Sequence, residues 1–364
     1  MSPDRVPPLI DAAGYREVEH HFAELLHAPS LFVLQGEAMI ALEAAARGIG
    51  RPGLRALNLV TGPYGEIFGQ WLTQQGVEVE NLVVPFSRSV SPEVVASALS
   101  SGARVDVVSV VHAEAATGVV NDLEAIAALA HDAGALTVVD AVASVGAEAL
   151  DIDGWALDVT VVSAQKALSG PAGVTGLAIS EAGWQAMSSN PRAPRDSVLS
   201  LLDWRERWLT SDHRALPAIP NHLETLALGA ALAQVDEEGL DGVIARHRTA
   251  RDACRRGVRA LGLALWVDSD VEAASVATTI AVPEGVAADQ LAAAARAAVQ
   301  GGLSPALTVA PGPLRSRALR IGHTGARATT ADVLSAVAAL GVGLGALGVT
   351  CDLEAAMAAV LADG

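Results

Sequence analysis

Alternation governs this sequence. Short, valine-rich apolar runs at Leu57–Val60, Val105–Val111, Leu136–Val139 and Val159–Val162 are separated by longer stretches with helical character, among them Ile40–Arg47, Pro92–Leu99 and Leu123–Asp132. A run that is apolar at every position suits a strand buried on both faces. Helices between such strands are what can cover those faces, so the pattern predicts an α/β fold around a mostly parallel sheet.

The strand-like runs end alike. LNLV leads into Thr61-Gly-Pro-Tyr-Gly65, VDVVSVV into His112-Ala-Glu114, LTVV into Asp140, and DVTVV into Ser163-Ala-Gln-Lys166. Ligands of open parallel sheets bind beyond the carboxyl ends of the strands. Loops are polar in any protein, so one such end says little. Four together, carrying an aromatic ring, carboxylates and an amine, predict a shared cleft.

Composition narrows the class. Of 364 residues 51% are apolar, too many for a disordered chain, and a net charge of −17 with no basic face disfavours nucleic acid. Cys254 and Cys351 cannot build a disulfide framework and lack zinc-site spacing, so no metal is expected. The first 25 residues hold no basic segment followed by an apolar core, which points to a cytoplasmic enzyme. Two domains are expected, a large one over 1–235 and a smaller α+β one over 236–364. The latter has helical Val243–Leu261, Ala287–Gln300 and Ala331–Leu340 around strand-like Ser275–Val282 and Ala318–Ile321.

Two features near the C-terminus mislead. Gly343-Leu-Gly-Ala-Leu-Gly348 matches G-x-G-x-x-G, but 16 residues remain after it, too few for the βαβ unit that dinucleotide binding needs. Residues 333–351 are uncharged and nearly long enough to span a bilayer, yet four glycines interrupt them and Asp332 and Asp352 flank them. A packed helix and turn is expected there, with no membrane contact.

The chain contains one lysine. Lys166 stands alone beside 23 arginines. Either residue serves as a solvated cation, and one lysine could survive at an indifferent site. Only a lysine, however, can lose its proton and bond a carbonyl carbon. An amine holding pyridoxal phosphate also needs a carboxylate for the pyridine nitrogen, flat or apolar partners for the ring faces, and donors for the phosphate. Asp140 at a strand end suits the first need. Val142, two residues on, and Tyr64 suit the second.

These segments resemble a known family. His112-Ala-Glu-Ala-Ala-Thr-Gly118, Val138-Val-Asp-Ala-Val-Ala-Ser-Val-Gly146 and Ser163-Ala-Gln-Lys-Ala-Leu-Ser-Gly-Pro-Ala-Gly173 are similar to the core of the class V aminotransferases, nearest to the alanine–glyoxylate and serine–glyoxylate group. The likeness runs over residues 105–182, is fainter at Gly36–Glu43 and Gly62–Gly65, and returns at Leu319-Arg-Ile-Gly-His-Thr-Gly325. It implies a fold-type-I pyridoxal-phosphate transferase, with a seven-stranded-type sheet between helices and a smaller C-terminal α+β domain. It further implies a homodimer with its sites at the subunit boundary.

The resemblance also assigns roles. Lys166 would form the Schiff base, Asp140 pair with the pyridine nitrogen, Val142 and Tyr64 sandwich the ring, and Gln165 approach the phosphate. Arg320 would bind the substrate carboxylate as a planar two-pronged donor. The reaction implied is transfer of an amino group from a small amino acid to a glyoxylate- or pyruvate-like 2-oxo acid. His112, Glu114 and Thr117 could serve catalysis or merely hold the strand end. Trp204 and Trp208 are expected to pack rather than to line a pocket.

Several positions depart from the family pattern. Glu37-Ala38-Met39 replaces the usual small or hydroxyl residues at the phosphate-binding helix start; the carboxylate would repel a phosphate unless it turned away, leaving the Ala38 and Met39 amides to donate. Ala115 replaces a cofactor-contacting serine, and Ala215 and Ala218 replace residues offered to the partner subunit. Two other readings stay open: a lyase or cysteine-desulfurase type of activity on the same cofactor, of which the desulfurase would need a mobile thiol, and a non-catalytic descendant of the fold.

Overall fold

A computed structural model describes residues 8–299 and 306–362. In chain order the first nine strands are β1 (Phe32–Gln35), β2 (Arg55–Val60), β3 (Glu78–Val83), β4 (Val107–Val111), β5 (Ala113–Glu114), β6 (Val119–Val120), β7 (Leu136–Asp140), β8 (Val159–Val162) and β9 (Val174–Ile179). β5 and β6 pair as a short hairpin; the others form one seven-stranded sheet in the order β1-β9-β8-β7-β4-β2-β3. Neighbours are parallel except at β9, which runs antiparallel to both β1 and β8. The expected mostly parallel α/β sheet is present. All four strands read from the sequence lie in it, within two residues of the expected bounds.

The helices that accompany the sheet are α1 (Ala12–Leu25), α2 (Ala38–Ile49), α3 (Pro63–Gln74), α4 (Pro92–Ser100), α5 (Leu123–Asp132), α6 (Glu181–Ser188) and the short α7 (Leu201–Trp204). Their starts follow from local chemistry. Asp11, Asp122 and Ser180 cap α1, α5 and α6 by accepting from backbone amides, and proline opens α3 and α4 where its missing N–H costs nothing. Sheet and helices close over one apolar core of residues between Ile10 and Val243.

A second core takes its residues from Ala250 to Val360. It is built from α9 (Leu240–Ala260), β10 (Ala277–Ala281), α10 (Ala288–Ala297), β11 (Leu307–Val309), β12 (Ala318–Gly322), α11 (Thr330–Ala346) and α12 (Leu353–Leu361). α8 (His222–Glu238) packs on α1 and leads into α9. The three strands pair antiparallel in the order β10-β12-β11. Gln300, the expected end of the second C-terminal helix, lies outside the described residues. Residues 333–346 are helical and packed, and among the described residues no helix is long and apolar enough to cross a membrane.

Register places the site. Leu59 pairs with Val110, Val111 with Asp140 and Asp140 with Val161, so β2, β4, β7 and β8 end nearly level. The loops that follow them therefore open on one edge.

Candidate active site

Lys166 sits on the turn after β8. Ser169, at φ 58, reverses the chain; its amide donates to the Lys166 carbonyl at 3.2 Å and that of Gly170 to Ala164 at 2.7 Å. The amine stands 5.8 Å from the centroid of the Tyr64 ring at the start of α3. Asp140 closes β7, its Oδ1 accepting from the Val142 amide at 3.0 Å. Lys166, Tyr64, Asp140, Val142, Ala115, Glu37, Ala38 and Met39 all line one cleft of about 430 Å³. Sequence separations of up to 129 residues (166 − 37) thus converge. Arg320 comes from the second core, on β12 between Thr279 and Thr308, and its Nη1 donates to the Ala115 carbonyl at 2.7 Å.

Burial sets the charges. It lowers the Lys166 amine below the usual lysine range, against the opposing pull of Asp140 and Glu114, with Arg320 adding to the fall. It raises Asp140, an effect that the nearby ammonium partly offsets. The Tyr64 phenol is raised by burial and by Glu114. Burial thus lowers the amine and raises the carboxylate that share the cleft.

At the start of α2 the expected carboxylate does not turn away. Glu37 caps the helix: Oε2 accepts from the Met39 amide at 2.9 Å, and Oε1 accepts from Gln165 Nε2 at 3.1 Å. Of the two amides expected to remain for a phosphate, that of Met39 is taken.

Other expected residues lie elsewhere. His112 is buried behind β4 with its ring 6.3 Å from that of Trp155, and Thr117 Oγ1 donates to the Thr61 carbonyl at 3.3 Å. Trp204 stacks on Phe32, and Trp208 Nε1 donates to buried Glu19 at 2.8 Å, so both indoles pack in the core. Ala215 and Ala218 are exposed on the segment before α8. Cys254 is buried in the second core, its thiol pushed up to about 12, and Cys351 Sγ donates to the Gly341 carbonyl. Neither lines the cleft, which removes the thiol that a desulfurase reading needs. An adjoining pocket of about 330 Å³, where Asn58, Phe68 and Trp71 extend the space beside Tyr64 and Asp140, was not legible in the sequence; its residues are spread over several strands and helices and carry no motif.

The Aminotransferase class-V family profile matches residues 11–321. The chain belongs to the class V aminotransferases. Pyridoxamine–pyruvate transaminase of Mesorhizobium japonicum is 35% identical over 335 residues, covering 91% of this chain and 84% of that protein. Serine–glyoxylate aminotransferase of Arabidopsis thaliana is 28% identical over 326 residues, covering 87% and 78%. A solved structure of pyridoxamine–pyruvate aminotransferase from Mesorhizobium loti has a TM-score of 0.92 at 32% identity, covering 98% of this chain and 91% of that one. This class V aminotransferase is accordingly a transaminase of the pyridoxal-phosphate-dependent class, with the fold-type-I architecture, as the resemblance implied.

The residues present fit the two ends of that cofactor unequally. A pyridoxal ring suits Asp140, Val142, Tyr64 and the amine of Lys166. A phosphate dianion does not suit its end of the cleft, where the Glu37 carboxylate already occupies the helix N-terminus and the Gln165 amide.

Proposed function

We propose that this aminotransferase works on the phosphate-free pair pyridoxamine and pyridoxal, moving the amino group of pyridoxamine to a small 2-oxo acid of the pyruvate type. The observation that carries this is the Glu37–Gln165 pair. A carboxylate and an amide that would repel or lose a phosphate can accept from and donate to a neutral hydroxymethyl group. The name of the Mesorhizobium relative supports the same donor and acceptor. The exchange balances: pyridoxamine loses its nitrogen and two electrons and leaves as pyridoxal, and the oxo acid gains them and leaves as an amino acid.

Each residue then has a task. When bound, the pyridine ring supplies an electron sink beside the carbon that is deprotonated. Asp140 keeps the pyridine nitrogen protonated, and Tyr64 and Val142 hold the ring faces. Lys166 bonds the aldehyde carbon of pyridoxal and, as a free amine, carries the proton between that carbon and Cα of the acid. Its amine is suited to both by its lowered basicity. Arg320, braced by the Ala115 carbonyl, takes the acid's carboxylate. The proposal includes a cytoplasmic homodimer whose subunits divide near residue 235.

Equilibrium binding tests the donor. Wild-type protein should bind pyridoxal at least about tenfold more tightly than pyridoxal phosphate, and Glu37→Ser should narrow or reverse that ratio. Tighter binding of the phosphorylated compound by the wild type would overturn the reading.

A further inference from the structure

Glu114 is fully buried on β5, between Ala113 and Ala115, which line the cleft. Both carboxylate oxygens are engaged: Oε2 accepts from the amide of Tyr64 and Oε1 from that of Ala116, each at 3.2 Å. One bond reaches the ring-stacking tyrosine. The other grips the loop whose Ala115 carbonyl accepts from Arg320 at 2.7 Å. Gly62 makes room for the arrangement, since a Cβ there would lie 2.3 Å from Glu114 Cγ and 2.7 Å from Oε2.

We propose that Glu114 is a positioning residue of the transamination site, a buried brace that sets Tyr64 and Arg320 in one register so that ring and carboxylate are presented together. This rests on the assignment of Tyr64 to the ring and Arg320 to the acid. Charge supports it. Burial pushes Glu114 up to about 7, helped by Asp140 and opposed by Lys166, and Glu114 in turn raises the Lys166 amine. The charged and titratable groups around the brace and the amine are Asp140 of β7, Lys166 after β8, Tyr64 of α3, Arg320 of β12 and Glu37 before α2. Above neutral pH the brace is therefore also part of the amine's counter-charge.

Glu114→Gln keeps the shape but offers an acceptor to only one of the two amides. It should raise the KM for the oxo acid about tenfold while kcat changes less than about threefold. The single lysine gives a second measurement in ligand-free protein: with 15N-lysine labelling, the one Nζ resonance should titrate at least about half a pH unit lower in Glu114→Gln, because a negative charge beside the ammonium is gone. Gly62→Ala displaces the same carboxylate without removing it and should reproduce the KM rise; it carries the test should Glu114→Gln not fold. A wild-type KM in a folded variant, with an unmoved lysine titration, would overturn the proposal. Failure of the underlying assignment looks different: borohydride with pyridoxal would then leave Lys166 unmodified in the wild type itself.

Discussion

At the residue scale the molecule turns on Lys166 and the groups that tune it. An arginine there keeps a cation in the cleft but cannot release a proton or bond a carbonyl carbon. Lys166→Arg should cut turnover by about 10²–10⁴-fold or more, and borohydride with pyridoxal should label the wild type alone. A variant with normal turnover would remove the amine from the reaction. Glu19 makes a separate prediction about pH. Buried outside the cleft lining, it accepts from the Val33 amide and the Trp208 indole, and burial raises it to about 7. A carboxyl whose folded pKa exceeds its unfolded one binds more protons when folded, so stability falls as pH rises from about 4.5 to about 7 and levels off above. The drop is roughly 3 kcal/mol, and thermal melts should show a flatter decline over that window in Glu19→Gln. Lys166 and Asp140 were legible in the sequence because composition and chemistry isolate them. The cap formed by Glu37 was not, because its direction depends on Gln165, 128 residues away.

At the scale of elements, strands with apolar residues throughout could be read, since burial on both faces leaves that pattern. β1 and β9 escaped notice: one spans four residues, and the other, Val-Thr-Gly-Leu-Ala-Ile, is broken by a polar residue and a glycine. β3 is an edge strand with no fully buried residue, so it lacks the apolar signature of the centre. The G-x-G-x-x-G segment proves to be part of α11 and the turn after it, and one of its glycines has a packing duty. A Cβ on Gly343 would lie 2.7 Å from the Ala295 amide of α10. Gly343→Ala should therefore destabilise the fold by about 1–3 kcal/mol, measured by denaturant unfolding, by forcing the helices apart. Unchanged stability would mean that the two helices slide apart freely.

For the whole molecule, the loop bearing Ala215 and Ala218 is exposed, as are Ile219, Leu223 and Leu226 beside it. If the proposed dimer forms there, light scattering at micromolar concentration should report twice the chain mass, and Leu223→Glu with Leu226→Glu should shift it toward the monomer. A wild type that is monomeric throughout would refute the dimer. The sequence by itself determined the fold class, the lone amine and its partner carboxylate, because periodicity and residue chemistry are local properties of a chain. Only the tertiary structure decided that Glu37 bonds the Met39 amide and Gln165, and that Glu114 ties Tyr64 to the loop that holds Arg320. Those outcomes depend on hydrogen bonds between segments far apart in sequence, whose directions no local pattern encodes.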